Sequence, residues 1–319
     1  MSFFPQLLSG PIARARHFLP QIEICKDFQY ENIIAGARLI LFGLFKKIVI
    51  ANNLAPYTDA VFNNVTMHEG ITFVVAGVFY AIQIYMDFSG YTDIAIGSAR
   101  LLGFRLLENF KAPYLAASVT EFWRRWHISL SSWVRDYVHM PIQFRLRSLG
   151  NRAVILAIFA TFLIIGIWHG AQWSFVMFGI LMALAVSFEM VTSDARQKIF
   201  KRMPHGATNF IAASFVFCLV VSSMILLRGN SLQEIIHVYS NLGFTNARNL
   251  YIGSWPSIIS ALLGLIVILI PELKLNKQSF SEIISNIRIG YRWSYYTLLI
   301  MLIVAIGEFS NDAFIYYQF

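Results

Sequence analysis

Long apolar runs separated by short polar stretches dominate the chain. Seven of these runs approach the roughly 20 residues that an α-helix needs to cross a bilayer. They lie near 34–52, 70–86, 153–168, 172–191, 210–227, 256–272 and 293–312. Little more than Gly170 and Ala171 separates the third run from the fourth, so this pair forms either a tight or re-entrant hairpin or two full crossings. The pattern predicts an all-α integral membrane fold with about seven transmembrane helices.

The composition excludes an ordinary water-soluble protein. Hydrophobic residues make up 57% of the chain and charged residues only 13%, whereas soluble domains contain roughly 25% charged residues. The sequence contains no internal repeat at a fixed period and no recognisable soluble segment. Residues 1–319 are therefore described most simply as a single membrane domain.

The basic residues, which give a formal net charge of +8, concentrate in alternate connections between the apolar runs. The connection 53–69 contains no lysine or arginine, whereas 87–152 contains nine. Positive residues near membrane segments tend to stay cytoplasmic, so the charge indicates orientation and contact with membrane lipids, not binding of nucleic acid. Lys46 and Lys47 lie within the first run, where we expect either that they face protein or water or that the helix is shifted along the sequence.

Two carboxylates follow the second apolar run. Asp87 and Asp93 flank Ser89, Gly90 and Thr92, a sequence that predicts a break in the helix near the end of this run. One interpretation is a cavity wall or a carboxylate that positions a reactant. The alternative is helix capping and turn formation at the membrane interface.

The segment EFWRRWHISLSSWVRDYVHMPI predicts an amphipathic helix in the plane of the interface. One face carries the apolar residues Phe122, Trp126, Leu130, Trp133 and Tyr137, and another carries Arg124, Arg125 and Arg135. The arginines either anchor the helix on anionic lipids or bind the phosphates of a cytosolic donor such as coenzyme A. His127 lies beside Trp126 on the apolar side, where a titratable ring needs a partner.

The segment FLIIGIWHGAQW places His169 at the end of an apolar helix, between Gly166 and Gly170. The small residues favour close helix packing, with Trp168 and Trp173 at the interface. The alternative is a catalytic imidazole, because an ionisable group at membrane depth is costly unless it is used. The ordinary pKa of histidine, about 6.5, suits a general base near neutral pH.

Other reactive patterns are missing from the sequence. It contains no phosphate-binding Walker loop, no dinucleotide fingerprint, no nucleophile elbow and no metal-ligand spacing. Cys25 and Cys218 are far apart and support neither a disulfide framework nor a zinc site. We therefore predict no metal and no bound cofactor.

Five ordered segments resemble the bacterial polysaccharide branch of the membrane-bound O-acyltransferase (MBOAT) family, which includes the membrane subunits that O-acetylate alginate. The segments are FFPQLLSGPIAR, GLFKKIVIANNLA, MDFSGYTDIAIGSARLLGF, EFWRRWHISLSSWVRDYV and GIWHGAQW. The terminal FIYYQF is similar to the same branch, so the resemblance extends along the whole chain.

The resemblance implies that His169 lies in a passage reachable from both membrane faces, with His127 at a second family position. It implies transfer of an acyl group, acetyl above all, to hydroxyls of an exported polysaccharide such as alginate. The donor is a cytosolic thioester, either acyl-CoA or an acyl carrier. The expected partners are membrane lipids and periplasmic or membrane acetylation proteins, and the expected location is the bacterial inner membrane. Asp87, Asp93, Arg124, Arg125, Trp126 and Trp168 are expected to support the two histidines.

Two departures from the family pattern affect these expectations. Family members carry further membrane segments upstream of the FFPQ motif, so this chain is expected to be the C-terminal portion of an MBOAT-type fold. PIQFRLRSLGNR also replaces the usual turn after the amphipathic helix. Two other functions stay open: a transporter or channel, which predicts two related halves with broken helices, and a non-catalytic remnant that scaffolds acetylation partners.

Overall fold

The computed structural model describes residues 3–7, 10–201, 204–243, 250–275, 283–284, 286–309 and 314. Within these ranges the chain is helical, and no β-strand forms beyond an isolated bridge between Gly70 and Leu242. The last five residues of the FIYYQF motif lie outside the described residues. The α-helices up to residue 101 are α1 (Ala15–Glu23), α2 (Tyr30–Phe45), α3 (Asn52–Phe62) and α4 (Ile71–Leu101). The α-helices that follow are α5 (Val119–Arg125), α6 (Ile128–Val134), α7 (Met140–Arg145), α8 (Asn151–His169), α9 (Trp173–Val191), α10 (Ser193–Phe200), α11 (His205–Arg228), α12 (Leu232–Ser240), α13 (Trp255–Leu275) and α14 (Ile289–Ile306).

Short helices of other types connect these elements. Four of those in the described ranges are 3₁₀-helices: Phe4–Gln6, Val65–Met67, Pro113–Leu115 and Arg147–Leu149. Two are π-helical: Lys46–Ala51 and Arg135–His139. Each π-helical stretch joins two α-helices without a loop, so that α2 continues into α3 and α6 continues into α7.

Six helices in the described part of the chain are long and apolar enough to cross a membrane: α4, α8, α9, α11, α13 and α14. Six of the seven predicted apolar runs are thereby confirmed as candidate spans. The helices α8 and α9 contain 19 residues each, about 28 Å at 1.5 Å per residue, which matches the hydrocarbon thickness of a bilayer. They therefore form a tight hairpin of two full-length helices.

The first predicted run, 34–52, does not form a uniform spanning helix. The 16 residues of α2 are followed by the six-residue π-helix Lys46–Ala51 and then by the 11 residues of α3. A π-helical turn widens the hydrogen-bonding pattern and rotates the side chains that follow it. The local sequence does not predict this π-helical turn. The contacts that favour it are those that Lys46 and Lys47 make with residues distant in the sequence.

Contacts divide the chain into two compact units, and the first comprises Met1–Tyr57, Ile82–Ala112 and Ile252–Gln318. Lys46 is buried here, with its Nζ 2.8 Å from Asp93 Oδ2 and 3.8 Å from Glu272 Oε1. Lys47 Nζ lies 2.6 Å from Oδ1 of the buried Asp87. The expectation that both lysines face protein is confirmed, since each is neutralised by a carboxylate.

The helix break predicted between Asp87 and Asp93 is wrong. Helix α4 runs without interruption through this segment, for 31 residues in all. Gly90 belongs to the helix because it packs against the backbone of α2, with its Cα facing the carbonyl of Gly43 so closely that a methyl group would clash. The polar residues therefore mark close helix packing and ion pairing in this unit, and neither aspartate caps a helix end.

The second unit comprises Thr58–Ala81 and Pro113–Tyr251. Its centre is the α8–α9 hairpin, in which Gly166 faces the carbonyl of Phe175 and Gly179 faces the carbonyl of Phe162. The small residues bring the two backbones together, as the packing interpretation of Gly166 predicts. Helix α11 packs on α9, and the short helices α5 and α6 lie against the hairpin. The single membrane domain assigned from the sequence stays a prediction.

Candidate active site

The predicted amphipathic helix is divided at His127. Helix α5 closes when the amide of Trp126 donates to the carbonyl of Phe122, and α6 begins when the amide of Ser131 donates to the carbonyl of His127. His127 itself adopts a left-handed conformation, with φ 44° and ψ 53°. This region is rare for residues other than glycine and costs roughly 1–3 kcal/mol where the surroundings enforce it. The single continuous helix is therefore a wrong prediction.

The predicted apolar face is only partly buried. Phe122, Trp126 and Leu130 are buried, whereas Trp133 and Tyr137 are exposed. The ring of Trp126 stacks on Phe122 at 5.5 Å between centroids. The first three residues of the predicted face therefore lie in the protein core, and the last two, Trp133 and Tyr137, lie at its surface.

His127 is held inside the second unit, with only 4% of its surface exposed. Its Nδ1 lies 3.5 Å from Ser129 Oγ, a long polar contact. Its ring centroid lies 6.3 Å from that of Trp168. Burial, and to a smaller extent the charge that His169 carries when protonated, lower the pKa of His127 to about 3. The ring is therefore neutral at physiological pH and carries one N–H donor and one acceptor.

His169 is the last residue of α8 and directly precedes Gly170, in the turn that joins α8 to α9. Its ring packs among aromatic neighbours, with centroid distances of 5.0 Å to Trp168, 6.4 Å to Phe175 and 6.3 Å to Phe178. The residue is nonetheless only partly buried, and Trp168 is 49% exposed. The imidazole is thus oriented by its aromatic neighbours, in a residue that retains some exposed surface.

The structure brings together the two histidines that the sequence singled out, although they lie 42 positions apart in the chain. The indole of Trp168 lies near both rings, and a charge on His169 acts on His127. A pair of neighbouring imidazoles, one buried and one partly buried, is suited to acid–base chemistry at a single reacting group.

Glu189, which the sequence analysis missed, holds α5 in place. Its carboxylate accepts hydrogen bonds from the amides of Val119 (3.1 Å) and Thr120 (2.8 Å). Ser118 caps the same helix by accepting from the amide of Glu121 at 3.0 Å. The sequence offered one signal for this role: Glu189 is the only carboxylate in the fourth apolar run. Since α5 leads directly into His127, this contact positions the site.

The remaining predicted residues differ in their surroundings. Arg125 forms an ion pair with Glu121 within α5, whereas Arg124 is exposed and lines a cavity. Asp87 and Asp93 belong to the first unit, where Lys47 and Lys46 neutralise them. In the part of the chain that the structure describes, no three histidine, cysteine or acidic residues are grouped as metal ligands would be.

Comparison with known proteins adds an independent line of evidence. The sequence profile of "MBOAT, membrane-bound O-acyltransferase family" matches residues 1–229, a range that includes both histidines. The chain is 38% identical to a peptidoglycan O-acetyltransferase of Helicobacter pylori, over 68% of this chain and 42% of that protein. It is 34% identical to a probable alginate O-acetylase of Azotobacter vinelandii, over 75% of this chain and 46% of that protein.

A more distant similarity joins the chain to a teichoic acid D-alanyltransferase of Bacillus subtilis, with 30% identity over 58% of this chain and 49% of that protein. The chain thus spans about half the length of the curated relatives it matches. The names of these relatives describe O-acetylation of peptidoglycan or alginate, and D-alanyl transfer to teichoic acid.

Proposed function

Because the chain belongs to the membrane-bound O-acyltransferase family and is a multi-pass membrane protein, we propose that it transfers an acyl group, specifically acetyl, to hydroxyls of an exported polysaccharide. The donor is a cytosolic thioester, either acyl-CoA or an acyl carrier. The observation that carries this proposal is that buried His127 and partly buried His169 lie beside one indole, that of Trp168.

His169 acts as the general base. An imidazole is the side chain whose ordinary pKa lies nearest neutrality, and His169 is only partly buried. It takes the proton of the acceptor hydroxyl while the hydroxyl oxygen attacks the thioester carbonyl. The carbon–sulfur bond then breaks, the carbon–oxygen bond remains, and the proton passes from the imidazole to the departing thiolate. A positioned base of this kind typically contributes about 10²- to 10⁴-fold to the rate.

His127 orients the donor carbonyl. Because its low pKa keeps the ring neutral, it offers a single N–H and no positive charge. A fixed N–H donor in a site of low polarity stabilises the negative charge that develops on a carbonyl oxygen during attack. The left-handed backbone of His127 is the structural cost of directing this ring inward, towards Trp168.

The proposed acceptor polymer and the proposed membrane location are taken by analogy with the relatives. Alginate and peptidoglycan, which the names of two relatives mention, are both rich in hydroxyls and both lie outside the cytoplasmic membrane. We therefore propose the bacterial inner membrane as the location, and periplasmic or membrane acetylation proteins as partners. Membrane lipids surround the apolar helices.

The test is the ester-linked acetate on the cell-surface polysaccharide, measured by mass spectrometry with and without the gene. Loss of acetate on deletion, restored by this chain, supports the proposal; unchanged acetate on deletion refutes it. A His169→Ala variant that inserts normally should restore no acetate. His17→Ala, which removes an exposed histidine of α1, is the matched control and should restore acetate fully.

A further inference from the structure

A groove of about 440 Å³ lies in the second unit, between α9 and α11, and neither histidine of the candidate active site lines it. Its walls are apolar along most of their length, and four of their large side chains are exposed: Leu184, Phe188, Ile211 and Phe215. Along α11 the lining extends from Ile211 to Leu219, about 12 Å at 1.5 Å per residue. This length fits within one leaflet of the roughly 30 Å hydrocarbon core.

Charged groups line only one end of this groove. Glu189 lies in the last turn of α9, and Arg196 lies in α10. The Arg196 Nη2 donates to the carbonyl of Glu189 at 2.7 Å. The groove therefore changes from apolar to charged along its length, and a molecule that fills it must do the same.

The connection 192–209 gives the charged end an excess of positive charge. Its basic residues are Arg196, Lys198, Lys201 and Arg202, against a single acidic residue, Asp194. Lys198 and Lys201 are exposed. Basic residues next to a membrane segment attract anionic lipid headgroups, so this end of the groove is suited to a negatively charged headgroup.

The apolar part of the groove requires hydrocarbon. Helices α9 and α11 are both candidate membrane spans, so their exposed side chains face the interior of a bilayer. An apolar wall with no neighbouring atoms loses its dispersion contacts, and a lipid acyl chain restores them. An apolar chain joined to an anionic headgroup is the chemistry of an acidic phospholipid.

The groove also reaches the contact that anchors α5. Val119 lines it, and the amide of Val119 donates to the carboxylate of Glu189 at 3.1 Å. The Arg196 Nη1 lies 3.6 Å from Oε1 of the same carboxylate. A headgroup beside Arg196 is therefore one contact away from the anchor of the helix that leads into His127.

We propose that this groove binds one anionic phospholipid of the leaflet next to the connection 192–209. One acyl chain lies along α9 and α11, and the phosphate lies near Arg196, Lys198 and Lys201. The bound lipid holds α10 against the end of α9 and thereby stabilises the contact between Glu189 and α5. This site is independent of the proposed acyl-transfer reaction and of the identity of its donor and acceptor.

The test measures how many phospholipids the purified, delipidated full chain retains in detergent, by native mass spectrometry during titration with phosphatidylglycerol or phosphatidylcholine. The wild type should retain one phosphatidylglycerol at concentrations where it retains no phosphatidylcholine. Its unfolding temperature should also rise with phosphatidylglycerol, because a ligand that binds only the folded state stabilises that state. Equal retention of the two lipids would contradict the choice of an anionic headgroup. Retention of neither would show that something other than lipid covers the groove.

The double variant K198Q/K201Q tests the headgroup contacts. It should bind phosphatidylglycerol roughly 10- to 30-fold more weakly, since each basic residue near a membrane surface contributes a factor of about five. The matched control is R145Q/R152Q, which removes the same charge from two exposed arginines that do not line the groove. This control should keep the wild-type affinity. Equal weakening in both double variants would show that only the net charge matters, and the site would then be wrong.

The double variant A185F/A212F tests the acyl-chain contacts. Ala185 and Ala212 line the groove from α9 and α11, so two added rings occupy the place of the chain. The variant should lose the retained phosphatidylglycerol and the rise in unfolding temperature. Ala305→Phe, at an exposed alanine of α14, is the control and should keep both. If A185F/A212F does not fold, the single variant A212F gives the same measurement, and retention of the lipid in a folded filled variant would overturn the proposal.

Discussion

Glu189 accepts two hydrogen bonds from a single residue of another helix: the amide of Thr120 at 2.8 Å and its hydroxyl at 2.7 Å. The acceptor lies on α9 and the donor in the first turn of α5. A carboxylate at a helix N-terminus is favoured both by the free amides and by the helix dipole. This contact joins α9 to α5. Helix α9 pairs in the hairpin with α8, which ends at His169, and α5 leads into His127.

Glu189→Ala is therefore expected to reduce the stability of the folded protein by about 1–3 kcal/mol, since it leaves part-buried amides without an acceptor. Glu189→Gln keeps one acceptor oxygen and should lose less. Thermal unfolding of the purified protein in detergent measures the effect. The control is Glu234→Ala, a partly exposed carboxylate in the first turn of α12 that accepts a hydrogen bond from the amide of Asn230. Equal losses at Glu189 and Glu234 would show that the contact with α5 has no special importance.

The low pKa of His127 predicts how stability depends on pH. Its ring has a pKa of about 3 in the folded protein and about 6.5 when unfolded. The unfolded chain therefore binds the proton first, and stability falls as the pH drops below about 6.5, by up to about 1.4 kcal/mol per pH unit until about pH 3.

Replacing His127 by asparagine should flatten this dependence. Asparagine tolerates the left-handed backbone and has no titratable ring, so the midpoint of thermal unfolding should change less between pH 7 and pH 5 than it does for the wild type. His17→Asn serves as the control for loss of an exposed histidine and should keep the wild-type slope. A slope that is the same in all three proteins would show that His127 does not titrate in this way.

Close packing at Gly166 predicts a large effect for a small change. A methyl group at Gly166 would meet the carbonyl of Phe175 across the hairpin, and such overpacking typically costs about 1–3 kcal/mol. Gly166→Ala should therefore lower the unfolding temperature. Gly290→Ala in α14 is the matched control, because no atom lies within 4 Å of the added carbon, and it should be neutral or slightly stabilising. Similar unfolding temperatures for both variants would contradict the hairpin packing.

Removing the charge of Lys46 should be strongly destabilising. Lys46→Met leaves Asp93 and Glu272 without their shared cation, and breaking a buried ion pair from one side typically costs about 3–5 kcal/mol. The double variant Lys46→Met/Asp93→Asn removes one of the stranded charges and should recover part of this loss. The comparison uses chemical unfolding in detergent. Additive losses in the double variant would indicate that the two residues do not interact.

Much of the fold could be predicted from the sequence alone, because the signals involved are local. Six apolar runs form helices of membrane-spanning length, since a run of about 20 apolar residues has few other stable states in a bilayer. His169 could be recognised from its position at the end of such a run, and the partners of Lys46 could be expected because an unpaired ammonium at that depth is too costly.

Only the tertiary structure decided the features that depend on contacts between distant segments. A helical pattern continues through residues 119–139 in the sequence, yet the chain turns at His127, because burying Trp126 against Phe122 and anchoring α5 on Glu189 outweigh the cost of one left-handed residue. The π-helical turn at Lys46–Ala51 and the groove between α9 and α11 arise in the same way. The hydrophobic periodicity of a segment indicates which of its side chains will be buried. Which other segment covers those side chains depends on packing across the whole fold.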